Sequence, residues 1–402
     1  MKILYISRRF YPNIKGGGEV SAFYIAKAAK KKGNKIYVCT FKENEGFFKE
    51  VIEDIEIYRF PIKNLQFKSL SSLEFMYLSM LSKTSKIIKK INPDVIHLLN
   101  FESIPLASIY YKIIHKKKIV ATVNGPNFGC FTGNGLDYKK NICINCILHK
   151  RLLCSLNKWG IIKGFIAYIY SIWYINLLKL SYSFIDKFFV VSNAMVPLIN
   201  NMKVSKKKIS VMYNPIEKKE KIKTNLKEKL GIKNKKVILY VGRIVKEKGI
   251  QYTLRSMKYL DNCVFIIVGK KERYYNELVK LRKNLKLEDK VIFVGFIDSK
   301  NLIKYYSIAD CGVLIVDIYE SLSRMLVEMY SLNIPLVIND IGGNLEFVDN
   351  KKLGILVENK NPKHVSNKIK IALNLNTDNK INNKFSISRF NQKLLKEYNN
   401  LF

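Results

Sequence analysis

The sequence predicts an α/β protein built from two doubly wound, Rossmann-like domains, each around a parallel sheet. Three observations predict it. Short apolar runs alternate with longer amphipathic stretches along the whole chain, the pattern of strands feeding crossover helices. That alternation comes in two series, separated by the Lys-rich segment Glu217–Lys235. The length of 402 residues suits two or three domains rather than one.

In the first series, strands are expected at Ile3–Ser7, Lys35–Thr40, Asp94–Leu98, Ile119–Val123 and Lys187–Val191, with helices such as Glu19–Lys32 and Leu73–Lys90 between them. In the second they are expected at Val237–Val241, Val264–Val268, Val291–Val294, Gly312–Val316 and Leu336–Asn339. The segment Glu217–Lys235 reads equally as linker or helix. The expected domains are therefore 1–215, carrying a Cys-rich insertion at 124–160, and 216–384. Phe385–Phe402 has the apolar spacing of one last helix, at 385–402, which packs on its own lobe or crosses back to the first.

Composition narrows the function classes. A hydrophobic fraction of 48% with 25% charged residues excludes disorder as the main state. Lys and Arg number 70 against 32 Asp and Glu, a net charge of +38. Such an excess attracts polyanions, including anionic lipid and phosphorylated substrates. Runs such as Lys30-Lys31-Lys32, Lys116-Lys117-Lys118 and Lys206-Lys207-Lys208 spread the charge widely, so a general compositional bias is the main expected cause. A basic polyanion-binding protein is thus the rival reading. With neither an RNA- or DNA-binding signature nor a concentrated basic helix, nucleic acid is not an expected partner. The chain starts directly with an apparent strand rather than a charged and then apolar leader, and its seven cysteines are an odd number. Both point to a reducing, cytoplasmic setting.

Three motifs carry chemistry. Gly16-Gly17-Gly18, within Tyr11–Glu19, stands between the first strand and the first helix. Without side chains there, backbone N–H groups at a helix start can approach an anion. Arg243 and Lys248 follow the first strand of the second series, where the open end of a parallel sheet binds ligands. A guanidinium and an ammonium at that place suit a diphosphate. Glu320 and Glu328 stand eight residues apart after the strand expected to end at Val316. On a helix beginning near Ser321, Glu328 would lie about two turns in and Glu320 in the loop before it. Two carboxylates facing one cleft can accept hydrogen bonds from sugar hydroxyls.

These elements, in this order, resemble the family 4 retaining glycosyltransferases, which have the GT-B fold of two Rossmann-like domains facing each other across a cleft. The resemblance extends through Asp94-Val95-Ile96-His97, Val191-Ser192-Asn193, Ser210–Pro215, Phe293–Phe296, Ile341–Glu346 and Phe385-Ser386. Its most specific part is Glu320–Glu328 with Pro335 seven residues beyond. It implies metal-independent transfer of a sugar from a nucleotide diphosphate sugar to a glycan or lipid-linked saccharide. Gly16, Gly17 and Gly18 would approach the donor diphosphate. Arg243 and Lys248 would neutralise it as it leaves. Glu320 would contact the transferred sugar and Glu328 the ribose, with the backbone at Ser321 and Leu322 donating to phosphate. His97 and Asn124 would lie on the acceptor side. No Asp-x-Asp occurs in the chain, in keeping with an enzyme that needs no catalytic cofactor. The chain departs from the family at Leu99, at Asn124-Gly125-Pro126-Asn127 and at Leu322-Ser323, so an inactive sugar-nucleotide-binding relative stays open.

Two features fall outside that pattern. Cys130, Cys143, Cys146 and Cys154 have a spacing compatible with a structural zinc site, or with free thiols. Cys39, Cys263 and Cys311 read as core residues. Gly164–Leu178, with Trp159 before it and Lys163 and Lys179 at its ends, suits a helix at an anionic membrane surface, which would make the protein peripheral on the inner face of the plasma membrane. A helix buried against the first lobe is the alternative. The uncharged stretch falls short of the ~20 residues that span a bilayer.

Overall fold

The computed structural model describes residues 1–14, 16–43, 46–62, 70–99, 105–126, 129–217, 219–348, 353–375 and 384–402. The chain divides into two compact units, Met1–Pro215 with Phe385–Phe402, and Ile216–Lys384.

Unit one contains β1 (Lys2–Ser7), α1 (Gly17–Lys30), β2 (Lys35–Glu43), β3 (Phe48–Ile52), β4 (Ile55–Ile62), α2 (Leu70–Ile91) and β5 (Val95–Leu99). It continues through α3 (Pro105–His115), β6 (Lys118–Val123), α4 (Leu148–Trp159), α5 (Ile161–Ser183), β7 (Lys187–Val190), α6 (Met195–Asn200) and β8 (Ile209–Val211). The eight strands order as β3-β4-β2-β1-β5-β6-β7-β8. All pairs are parallel except β3 with β4. The central strands are apolar on both faces, as helices on each side require. The β3–β4 hairpin was not expected. Its turn residues Glu53 and Asp54 both have positive φ, 46° and 59°, and so build a tight two-residue connection without the usual Asn-Gly.

Unit two contains α7 (Leu226–Lys229), β9 (Lys236–Val241), α8 (Ile250–Ser256), β10 (Cys263–Val268), α9 (Tyr274–Asn284), β11 (Val291–Gly295) and α10 (Leu302–Ile308). It closes with β12 (Cys311–Leu314), α11 (Arg324–Ser331), β13 (Leu336–Asn339), β14 (Gly354–Val357) and α12 (Pro362–Leu373). Its six-stranded sheet orders as β11-β10-β9-β12-β13-β14 and is parallel throughout. Within Glu217–Lys235 the only described α-helical residues are the four of α7. Cys39, Cys263 and Cys311 are buried in β2, β10 and β12.

The last helix, α13 (Ile387–Asn399), belongs to unit one. Ser386 caps it by accepting from the Arg389 N–H. Phe390, Leu394 and Tyr398 join the core formed with Ala22, Ile25 and Ala29 of α1. The first unit is therefore completed by residues from both ends of the chain.

Candidate active site

In unit two the strand order reverses between β9 and β12, which pair directly. A crevice opens at the carboxyl ends of such strands, where the connecting loops diverge. The loop after β9 carries Arg243 and Lys248, and the segment after β12 carries Glu320. Two glycines let them meet. Gly249 has φ +67°, and a Cβ there would lie 1.6 Å from the Ile315 carbonyl oxygen. Gly342 has φ +61°, and its Cβ would lie 2.2 Å from the Glu320 carbonyl oxygen. The next N–H, of Gly343, donates to that same carbonyl at 2.6 Å. Asn339 ties the strand exits together, accepting from the Val316 N–H and donating to its carbonyl, both at 2.9 Å.

The side chains converge accordingly. Lys248 Nζ pairs with Glu320 Oε2, and the two side chains are only 17% and 12% exposed. Largely withdrawn from water, this pair acts more strongly on a neighbouring charge than an exposed pair does. Arg243 is exposed, and its carbonyl accepts from the Tyr240 hydroxyl at 2.7 Å. Burial, and then the Glu320 carboxylate, push that hydroxyl above its ordinary pKa, so it remains a proton donor. A second ion pair, Lys360 with Asp317, flanks the first, and Tyr252 donates to Asp317 at 2.8 Å.

Glu328 sits on α11, which begins at Arg324 rather than near Ser321. Ser321, Leu322 and Ser323 are buried and non-helical, because the backbone at Glu320 is held by Gly343 instead of entering a helix turn. Glu328 is therefore about one turn into the helix, not two. Its Oε1 lies 3.2 Å from Arg324 Nε, and its Oε2 accepts from the Tyr306 hydroxyl at 2.6 Å. Burial, followed by Glu328, holds the Tyr306 pKa well above its usual value. Tyr306, Arg324, Asp317 and Lys360 carry no sequence signal that marks them; each is defined by contact.

In unit one, Gly16 is extended while Gly17 and Gly18 form the first turn of α1. Arg59 of β4 steadies the preceding loop, donating to the Tyr11 carbonyl at 2.5 Å while pairing with Glu50. Lys15 and Asn127 lie outside the described residues, and Asn124 follows β6, half-buried. His97 does not belong to an acceptor side. It is fully buried in β5, with Nδ1 2.6 Å from the Tyr398 hydroxyl and Nε2 2.7 Å from Thr122 Oγ1. Burial pulls its pKa down to about 3, so the ring is neutral and works as a core hydrogen-bonding unit.

None of the four clustered cysteines is in a disulfide. Among the described residues, no group of three or more His, Cys, Asp or Glu side chains is arranged to hold a metal ion. The Cys130 sulfur contacts Thr132 Oγ1 at 3.3 Å, and that of Cys143 donates to the Asn145 carbonyl at 3.5 Å.

Known proteins resemble this chain in family and fold. Residues 15–220 match the family model described as Glycosyltransferase Family 4, and residues 222–387 match that of glycosyl transferases group 1. An uncharacterized glycosyltransferase of Methanocaldococcus jannaschii is 33% identical over 171 residues, covering 40% of this chain and 43% of that protein. The chain thus spans less than half of that relative. The N-acetylgalactosamine-N,N'-diacetylbacillosaminyl-diphospho-undecaprenol 4-alpha-N-acetylgalactosaminyltransferase of Campylobacter jejuni is 26% identical, covering 65% of this chain and 69% of that one. The crystal structure of Anabaena HepE in complex with UDP and glucose superposes with a TM-score of 0.70, covering 99% of each chain at 18% identity, which establishes the GT-B fold.

Proposed function

The chain belongs to Glycosyltransferase Family 4 and is a glycosyltransferase, and on that premise we propose that it takes its sugar from a nucleoside diphosphate donor held by unit two. One observation carries the reading: the Arg243–Lys248 loop and the Glu320 segment are packed together at the point where the sheet order reverses. As the bond from the anomeric carbon to the diphosphate oxygen breaks, negative charge collects on the leaving group. Arg243 and Lys248 supply fixed positive charge there, the kind of stabilisation that dominates such reactions. With two cations in place, the reading needs no metal at the diphosphate. Glu320 both orients Lys248 and accepts from hydroxyls of the transferred sugar. Glu328, steadied by Tyr306 and Arg324, accepts from the ribose hydroxyls. The acceptor hydroxyl attacks on the face the diphosphate leaves, giving its proton to a departing phosphate oxygen, so configuration is retained. The backbone N–H groups at Gly16, Gly17 and Gly18 are assigned a second anion-binding role. The acceptor is a glycan or lipid-linked saccharide, the latter supported by the acceptor class in the Campylobacter relative's name.

The test is a thermal-shift panel of nucleotide sugars, in which the true donor stabilises the protein most. Turnover of that donor should fall about 10²–10³-fold in Lys248→Met and Glu320→Gln. Full turnover in both folded variants would remove this assignment.

A further inference from the structure

The helix pair α4–α5 has its polarity inverted for a water-facing element. The inward stripe of α5 is small and partly polar in its first half: Gly164, Ala167 and Ser171. The approach to α4 is so close that a Cβ on Gly164 would meet the Leu156 Cα at 2.7 Å. The opposite stripe carries Ile162, Phe165, Ile166, Ile169, Trp173 and Leu180, all exposed. At 100° per residue these six fall within an arc of about 100°, and they extend for ~27 Å along the axis. Ile162 and Ile166 are 78% and 61% exposed. Lys163 and Lys179 lie within the helix and do not bound it. The helix in fact runs for 23 residues and is apolar enough by length and composition to cross a membrane.

Charge identifies the partner. From Tyr138 to Ile185 the chain has no Asp or Glu, yet it has Lys139, Lys140, Lys158, Lys163 and Lys179 among its cations. On the α5 wheel Lys163 and Lys179 lie about 100° to either side of Ile162, flanking the apolar arc on both edges. Arg151 of α4 donates to the Ser171 and Cys146 carbonyls, both at 3.0 Å, and so locks the pair together. We propose that the outward face of α5 docks on an anionic lipid bilayer. The helix lies in the interface with its apolar arc in the acyl boundary and its lysines at the headgroups. A second copy of the chain fits poorly, because a two-fold pairing of this face would set cations against cations with no acid to separate them. Spanning fits poorly too, since it would strip α5 from α4 and leave the Arg151 guanidinium without its Ser171 partner. The proposal is independent of the donor chemistry.

The experiment is co-sedimentation of the full chain with vesicles of phosphatidylcholine, alone or mixed with an equal part of phosphatidylglycerol. The wild type should bind the mixed vesicles, release on raising salt, and show a blue shift in Trp emission. Ile162→Gln/Ile166→Gln should weaken partitioning by about 10²-fold, roughly tenfold for each buried Ile lost. Lys163→Gln/Lys179→Gln should flatten the salt dependence. All four side chains lie on the outside or the flank of the helix, so circular dichroism should match the wild type. No binding, equal binding to neutral vesicles, or a dimer abolished by the isoleucine variant would each overturn the proposal.

Discussion

Gly249→Ala offers the sharpest test of how the site is assembled. Gly249 has φ +67°, and the new Cβ would stand 1.6 Å from the Ile315 carbonyl oxygen. A comfortable C···O contact is about 3.3 Å, so the two segments must separate by about 1.7 Å. That movement acts between the loop holding Lys248 and the segment leading to Glu320. Misplacement on the order of 1 Å at reacting groups costs about 10²-fold in rate, so turnover should fall at least that far. A non-glycine residue in the left-handed region costs a further ~1–2 kcal/mol of stability. Gly231 is the control. It shares the φ of +67° but has nothing within 4 Å of its Cβ position. Gly231→Ala should lose the same conformational increment and keep its activity. The assay is release of the nucleoside diphosphate from the stabilising donor, alongside thermal unfolding. If Gly249→Ala matched Gly231→Ala in turnover, the packed junction would not be what positions the chemistry.

Three further outcomes follow from particular contacts. Tyr306→Phe removes the 2.6 Å hydrogen bond to Glu328 and should weaken donor binding about tenfold, raising KM with kcat little changed; a pure kcat effect would contradict the ribose role. His97 has its pKa lowered by burial from 6.5 to about 3. The unfolded chain therefore takes up a proton that the folded chain refuses between those values. Stability from this group is complete above pH ~6.5 and declines towards pH 3, by up to ~5 kcal/mol, with a slope of up to ~1.4 kcal/mol per pH unit. Denaturant titrations from pH 7 to 5 should show a steeper decline in wild type than in His97→Gln, and equal slopes would refute the burial argument. Finally, the side-chain contacts of Cys130 and Cys143 lead to an expectation of sub-stoichiometric zinc in untagged protein by elemental analysis. A full equivalent, lost together with thermal stability on chelation, would instead establish a structural metal site.

The parts of this molecule that were legible in the sequence are those that repeat. Each buried parallel strand is a short apolar run, so β1, β5, β6, β9, β10 and β13 stand out. The β3–β4 hairpin does not, because it alternates exposed and half-buried positions and turns on Glu53-Asp54 instead of glycine or asparagine. At the proposed site, Arg243, Lys248 and Glu320 were singled out by their place after strand ends taken together with the family resemblance, neither of which suffices alone. Their supports were not. Tyr306 meets Glu328 from 22 residues away, on a helix whose pattern shows only that one face is buried. His97 misled for the converse reason. A histidine between Ile96 and Leu98 reads as a functional exception, whereas both ring nitrogens are satisfied inside the core by Thr122 and by Tyr398, 301 residues downstream.

The placement of acids gives the net charge of +38 a meaning that its size does not. In unit two several carboxylates are held by cations: Glu320 by Lys248, Asp317 by Lys360, Glu328 by Arg324, Asp310 by Lys227 and Lys236. Several of these pairs lie at or beside the proposed donor site, where an opposite charge fixes a cation's direction before an anion arrives. Tyr138–Ile185 itself contains no acid, and among its described cations only Lys150 has an ion pair, a loose one to Asp137 at 3.9 Å. A uniform lysine bias raises the cation count everywhere but does not by itself empty 48 consecutive residues of Asp and Glu. Nor does it place those cations beside an apolar face turned to the outside. Ion pairs that orient single cations suit a small, defined anion such as a diphosphate. Unpaired lysines around an exposed hydrophobic stripe suit an extended surface that supplies many anions and an apolar layer at once. On the two proposals made above, the same excess charge serves two physically different purposes, a donor site on unit two and a membrane face on unit one.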